Sequence, residues 1–181
     1  MQKLLQNKKI AMLIAQQDFR DEECFIPRGI FLDQGAQVKI ISLKKGTALG
    51  IFGGVIDVDI TLDELNIADF NCLVLVGGNG ALTYLENNKT HQAVRQAVEL
   101  GKILAAICIA PTILARAGVL KGKKAVVWSS NLDKSAVKIL QSAGAEYTNQ
   151  PVVIDGNIIT ADGPESSRAF AEAIVKALSK E

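Results

Sequence analysis

The 181-residue sequence predicts a mostly parallel, doubly wound α/β sandwich. Three observations carry that expectation: short continuous apolar runs recur along the chain, they alternate with stretches of helical periodicity, and glycines close several of those stretches. Strands covered on both faces read as unbroken aliphatic runs rather than as alternating ones. Such runs lie at residues 9–15, 37–42, 72–77, 103–107, 125–128 and 158–160. Between them, helices are predicted over 21–34, 91–100, 111–117, 132–143 and 165–178. Gly35, Gly101, Gly118 and Gly144 follow the first four, where a left-handed residue suits the end of a helix. Gly46, Gly50, Gly53 and Gly54 interrupt an otherwise β-like segment, 46–58, and 152–157 reads as a hairpin. Both are expected as small antiparallel additions to the sheet. No repeat, low-complexity segment or linker divides the sequence, so one domain over 1–181 is the expectation.

Composition narrows the function classes. The 20 Lys and Arg balance 19 Asp and Glu, which gives no electrostatic reason to expect nucleic acid or an anionic membrane as partner. A small neutral molecule or a protein is the more natural partner. The apolar run at 10–15 is too short for a signal-peptide core, and no run is long enough to span a bilayer. Cys24, Cys72 and Cys108 are odd in number and widely spaced, which suits a reducing cytoplasm rather than a disulfide framework. With His91 the single histidine, no metal site is expected.

In open α/β sheets, ligands bind beyond the carboxyl ends of the strands, near the point where strand order reverses. Three loops should meet there: 16–24 after the first strand, 76–81 after the strand that begins at Cys72, and the segment around Cys108. At Cys108 an apolar run stops at a thiol with Pro111 just beyond, the pattern of a nucleophile elbow at a helix N-terminus. Helix dipole and unpaired N–H groups would there favour a thiolate with a lowered pKa. The plainer reading is a small buried hydrophobe. Gly77 and Gly78 would let backbone approach a ligand and, with the N–H of Ile109, face a developing oxyanion. The stretch 77–80 completes neither a phosphate-binding loop nor a dinucleotide fingerprint, so no nucleotide cofactor is expected. Glu22 and Glu23 open a helix, where acids are favoured electrostatically. If one reaches Cys108, carboxyl and thiol must share a proton and supply a nucleophile with a general acid/base, without histidine.

Four motifs stand in one order: Asp21-Glu-Glu-Cys-Phe-Ile-Pro27, Leu75-Val-Gly-Gly-Asn79, Ala105-Ala-Ile-Cys-Ile-Ala-Pro-Thr112 and Ile159-Thr-Ala-Asp-Gly-Pro164. With them the chain resembles the ThiJ/PfpI superfamily, which includes the parkinsonism-associated deglycase. The resemblance implies a flavodoxin-like sandwich, a homodimer, no cofactor, and an elbow Cys108 bonded to the acid Glu23. It places Gly78 and Ile109 at an anion or oxyanion pocket. Gly77, Asn79 and Trp128 are further pocket candidates. The activities it implies are glyoxalase or deglycase action on small 2-oxoaldehydes or their adducts, oxidative-stress sensing through Cys108, and peptidase action. The last is disfavoured, because Ile109 stands where the peptidase branch has histidine and 79–84 lacks that branch's acid. Where deglycase-like members often carry another histidine, this chain has Trp128 or Ser129. His91 is expected on the surface of its helix, Cys72 in the core, Cys24 as at most a resolving thiol, and Asp162 and Arg168 as ion-pair formers.

Overall fold

A computed structural model describes residues 3–180. The strands are β1 (Lys9–Leu13), β2 (Gln17–Phe19), β3 (Gln37–Ser42), β4 (Gly46–Gly50), β5 (Val55–Val58), β6 (Ile60–Thr61), β7 (Cys72–Leu75), β8 (Ile103–Ile107), β9 (Lys124–Ala125), β10 (Glu146–Tyr147), β11 (Val152–Asp155) and β12 (Ile158–Ala161). The helices are α1 (Asp21–Asp33), α2 (Asn88–Glu99), α3 (Pro111–Arg116), α4 (Ser135–Ser142) and α5 (Ser167–Leu178). Seven strands form the main sheet in the order β11-β12-β8-β7-β1-β3-β6, all parallel except for the β11–β12 hairpin. This is the doubly wound, mostly parallel sandwich expected from the sequence, in the flavodoxin-like form that the family resemblance implies. Every residue of β7, β8 and β12 is buried, as strands covered on both faces must be. Helices α1 and α5 pack on one another, α2 and α3 form a second packed pair, and α4 joins α3. Among the described residues, no helix is long and apolar enough to cross a membrane.

The predicted helix-ending glycines Gly35, Gly101, Gly118 and Gly144 all take positive φ. The hairpin at 152–157 also forms, with Gly156 and Asn157 as its turn. Three elements depart most from the expectation. The apolar run 125–128 does not join the main sheet. Only Ala125 lies in a strand, and β9 pairs with β10 in a separate two-stranded sheet. The N–H of Val126 is satisfied by the Thr160 hydroxyl at 3.0 Å instead of by a ladder. The segment 46–58 likewise leaves the main sheet: β4 and β5 pair with each other, and β4 runs parallel to β2 in a three-stranded sheet. Finally, α4 starts at Ser135, three residues later than expected, because Ser130 Oγ and Asp133 Oδ1 cap backbone N–H groups in the turn before it.

The small sheet is fastened to α1 by Asp21, whose carboxylate accepts from Phe52 N at 2.8 Å and Gly54 N at 2.7 Å. Asp21→Ala should lower stability by about 1–3 kcal/mol in urea denaturation, in line with losing charge-assisted bonds. Amide exchange at Phe52 and Gly54 should accelerate while the main-sheet amides keep their protection.

Candidate active site

Strand order reverses between β1 and β7, so the loops after these strands face a common crevice. Arg20 N donates to Gly77 O at 3.1 Å, which binds the first loop to the second. Beyond β8 the chain turns at Cys108, whose φ of 62° is left-handed, a conformation that costs a non-glycine residue on the order of 1–3 kcal/mol. Two hydrogen bonds hold it there. Cys108 N donates to Ala161 O at 2.9 Å, and Trp128 N donates to Cys108 O at 2.8 Å. The neighbouring strand β12 and the segment after β9 thus fix the elbow from both sides.

Glu23, in the first turn of α1, is completely buried, whereas Glu22 points outward and pairs with Arg20 at 2.9 Å. The choice between the two acids is therefore made by the helix face. Glu23 Oε2 accepts from Gly77 N at 3.0 Å. A Cβ on Gly77 would come within 2.6 Å of Glu23 Oε2 and 2.7 Å of Cys108 Cβ, so only glycine lets acid and thiol close on the same peptide. At Gly78, with φ 94°, a Cβ would meet Arg20 N and Asp18 O, both at 2.5 Å. The N–H groups of Gly78 and Ile109 face the Cys108 sulfur. Glu23 Oε1 is buried and accepts no well-formed hydrogen bond, while the Cys108 thiol acts on the carboxyl as a hydrogen-bond partner.

Burial raises the Glu23 pKa from 4.5 to about 7, opposed by the Cys108 thiol, the Gly77 N–H and the Arg20 charge. The Cys108 thiol is pushed up to about 12, first by burial and then by the adjacent carboxylate, against the pull of the Gly78 and Ile109 N–H groups. This corrects the expectation of a lowered thiol pKa. Helix α3 has only six residues and starts three residues after Cys108, so its dipole does not outweigh desolvation. Acid and thiol therefore titrate as a pair that keeps one proton across the neutral and mildly alkaline range.

The crevice holds a cavity of about 610 Å³ with Glu23 and Cys108 at its base. Of the sequence-predicted pocket residues, Gly78, Asn79, Ile109 and Trp128 line it, and Gly77 lies behind between acid and thiol. Arg20, Ile51 and Leu82, which also line it, were not singled out from sequence. Arg20 stands immediately before the acidic run, a charge that was there to be noticed, and its guanidinium lies 4.6 Å from the centre of the Phe52 ring. His91 is not a surface residue: it is buried on α2, and its Nε2 meets Leu85 O at 2.8 Å, away from the cavity lining. Cys24 is fully buried, which leaves it no access as a resolving thiol, and Cys72 is buried in β7. Asp162 accepts from Ser166 Oγ at 2.5 Å at the start of the last helical segment, and neither it nor Arg168 enters an ion pair among the described residues. Nor do those residues include a group of three or more His, Cys, Asp or Glu placed to hold a metal ion.

The model of the DJ-1/PfpI family matches residues 8–177. The chain belongs to the DJ-1/PfpI family. It is 42% identical over 177 residues to an uncharacterized protein of Methanocaldococcus jannaschii, covering 97% of this chain and 85% of that one. It is also 34% identical over 167 residues to a protein of Pyrococcus furiosus named deglycase PfpI, covering 92% and 98%. Among solved structures, a ThiJ/PfpI domain protein from Brachyspira murdochii superposes with a TM-score of 0.92 at 31% identity, covering 98% of this chain and 99% of that one. Several relatives in this DJ-1/PfpI group carry the name deglycase, which supports enzymatic activity in the family. Ile109 follows Cys108 at the cavity wall, and Trp128 is 38% exposed at the cavity edge.

A buried carboxyl with a raised pKa binds its proton more tightly in the folded than in the unfolded state. Its contribution to stability is therefore fully present below pH 4.5 and lost as pH rises to about 7, a span worth about 3 kcal/mol. Urea denaturation between pH 4 and 8 should show wild type losing stability across this window relative to Glu23→Gln, whose curve should be flatter.

Proposed function

We propose that this protein converts small 2-oxoaldehydes, or their adducts on amines and thiols, into hydroxyacids, with Cys108 as nucleophile and Glu23 as general acid/base. The observation that carries this reading is the buried Glu23 carboxyl set against Cys108 at the base of an open cavity. Relatives named deglycase support it.

In the singly charged pair, moving the proton from sulfur to Glu23 creates a thiolate next to the N–H groups of Gly78 and Ile109. The sulfur bonds to the aldehyde carbon, the C=O π pair moves to oxygen, and Glu23 supplies the proton for it. When the substrate is an adduct, the carrier amine or thiol leaves that carbon with a proton as the C–S bond forms. Glu23 carboxylate then takes the hydrogen from the sulfur-bearing carbon as a proton, so that the C–H pair forms a C=C bond and the ketone π pair moves to its oxygen, which takes up the hydroxyl proton of the sulfur-bearing carbon. That carbon's oxygen re-forms a C=O bond as the C=C pair takes the proton back from Glu23 at the neighbouring carbon. One carbon is oxidised as the other is reduced, so the hemithioacetal becomes a thioester with no external oxidant. Water cleaves the thioester, releasing the hydroxyacid and restoring the thiol. No histidine takes part, consistent with the position of His91 away from the cavity.

A second reading is favoured by exposure. Cys108 is half-buried while Cys24 and Cys72 are buried, so oxidation to a sulfenate or sulfinate would fall on Cys108. Mass spectrometry after mild peroxide should show oxygen on Cys108 first, and earlier modification of Cys24 or Cys72 would remove this reading.

Lactate formation from methylglyoxal should fall to the uncatalysed rate in Cys108→Ala and by about 100-fold or more in Glu23→Gln. Wild-type kcat/KM should rise with pH, as the singly charged pair forms, and level off above about 7. Equal rates in wild type and Cys108→Ala would refute the proposed nucleophile.

A further inference from the structure

Arg20 is the one Lys or Arg among the residues that line the catalytic cavity, and its place is fixed by several contacts. Its backbone N–H donates to Gly77 O at 3.1 Å, so the side chain departs from beside the glycine pair at the thiol. Its guanidinium lies 4.6 Å from the centre of the Phe52 ring, and Phe52 N is anchored in turn by the Asp21 carboxylate. One edge of the guanidinium, Nε with Nη2, donates to the Glu22 carboxylate at 2.9 and 3.2 Å. A guanidinium stacked on a ring and gripped along one edge has lost much of its rotamer freedom before a ligand arrives, so little more is lost on binding.

The other edge is unused. Glu22 takes the Nε and Nη2 side, and Nη1 donates to no acceptor among the described residues. Glu22 is absent from the cavity lining while Arg20 belongs to it, so the free edge is the part turned toward the cavity. The Arg20 side chain is 29% exposed, which leaves a charge-assisted bond only partly screened by water. Elsewhere the walls are largely apolar, with Ile51, Leu82, Ile109 and Ile139. The carboxylate of Asp133, also in the lining, is engaged by Ser135 N at 2.8 Å. One guanidinium edge matches the two coplanar oxygens of a carboxylate. A phosphate dianion calls for more cations and N–H donors than a single arginine already paired with an acid can give. The cavity, at about 610 Å³, has room for a chain longer than a three-carbon aldehyde.

We propose that Arg20 is a specificity-determining residue that selects 2-oxoaldehydes carrying a carboxylate at the far end, with the aldehyde carbon at Cys108 and the carboxylate on the free guanidinium edge. This assignment rests on the reaction proposed above and adds the second group of its substrate. With 4,5-dioxopentanoate the internal redox step balances as before. The aldehyde carbon is oxidised to a carboxylate, the adjacent ketone carbon is reduced to an alcohol, and one water is consumed, giving 2-hydroxypentanedioate.

Two measurements on the full-length protein test it. Kinetics would compare 4,5-dioxopentanoate with its neutral methyl ester in wild type, Arg20→Gln and Arg20→Lys. The Arg20 charge also acts on Glu23, so absolute rates move in the variants and the acid-to-ester ratio of kcat/KM is the quantity read. That ratio should be about tenfold or more in wild type, fall toward unity in Arg20→Gln and be partly kept in Arg20→Lys. A purely structural role would slow both substrates alike and leave the ratio unchanged. The second measurement needs no turnover: 4-oxopentanoate, which lacks the aldehyde, should protect Cys108 from iodoacetamide in wild type and not in Arg20→Gln, whereas its methyl ester should protect neither. An acid-to-ester ratio near unity in wild type, or the same ratio in wild type and Arg20→Gln, would overturn the selection while leaving the reaction standing. Arg20-dependent protection by 4-oxopentanoate without turnover of any aldehyde would support the carboxylate site and overturn the reaction.

Discussion

The proton shared by Glu23 and Cys108 is the constraint around which the rest of the site is arranged. Both groups are taken out of water, so each resists ionisation, and the charge of either raises the cost of charging the other. The pair therefore passes through a single-charge state over a wide pH range. In that state the choice between thiol plus carboxylate and thiolate plus carboxylic acid is an internal proton shift. Donors are placed for both outcomes: Gly77 N–H faces the carboxylate, and the N–H groups of Gly78 and Ile109 face the sulfur. A buried dyad of this kind needs neither a histidine nor a strongly acidic thiol.

Keeping the two groups together requires contributions from distant parts of the chain. The left-handed Cys108 is held through Ala161 and Trp128, which lie about fifty and about twenty residues further along the chain. Glu23 is delivered by a helix whose start is tied both to Gly77, through Arg20, and to the small sheet, through Asp21. The parallel strands β1, β7 and β8 bring these loops to one end of the sheet. The site is thus a property of the sheet order as much as of its residues.

The sequence made some of this legible and hid the rest for identifiable reasons. The runs at 72–77 and 103–107 are buried on both faces, and such burial leaves an unbroken aliphatic signature. The glycines at 35, 101, 118 and 144 mark helix ends because other residues adopt positive φ only at a cost. The run 125–128 is just as apolar, but hydrophobicity reports burial and not pairing, and Val126 finds a side-chain acceptor in place of a strand. The same limit hid the separate sheet of β2, β4 and β5. Around Cys108, the turn, the helix start and, through the family resemblance, the Glu23 partner could be read in the sequence, whereas desolvation depends on tertiary packing. Burial first and the adjacent carboxylate second set the direction of the thiol pKa, so reading the dipole alone gave the wrong sign.

The most direct test of the shared proton is the pH dependence of Cys108 alkylation by a small neutral reagent in wild type and Glu23→Gln, with Cys108→Ala as the blank. The wild-type rate should rise through about pH 7 and level off as the single-charge pair forms. In Glu23→Gln this inflection should vanish and reactivity should appear only above the ordinary thiol value of 9, because burial still opposes the thiolate. The same inflection in both proteins would show that the thiol titrates independently of Glu23 and would contradict the account.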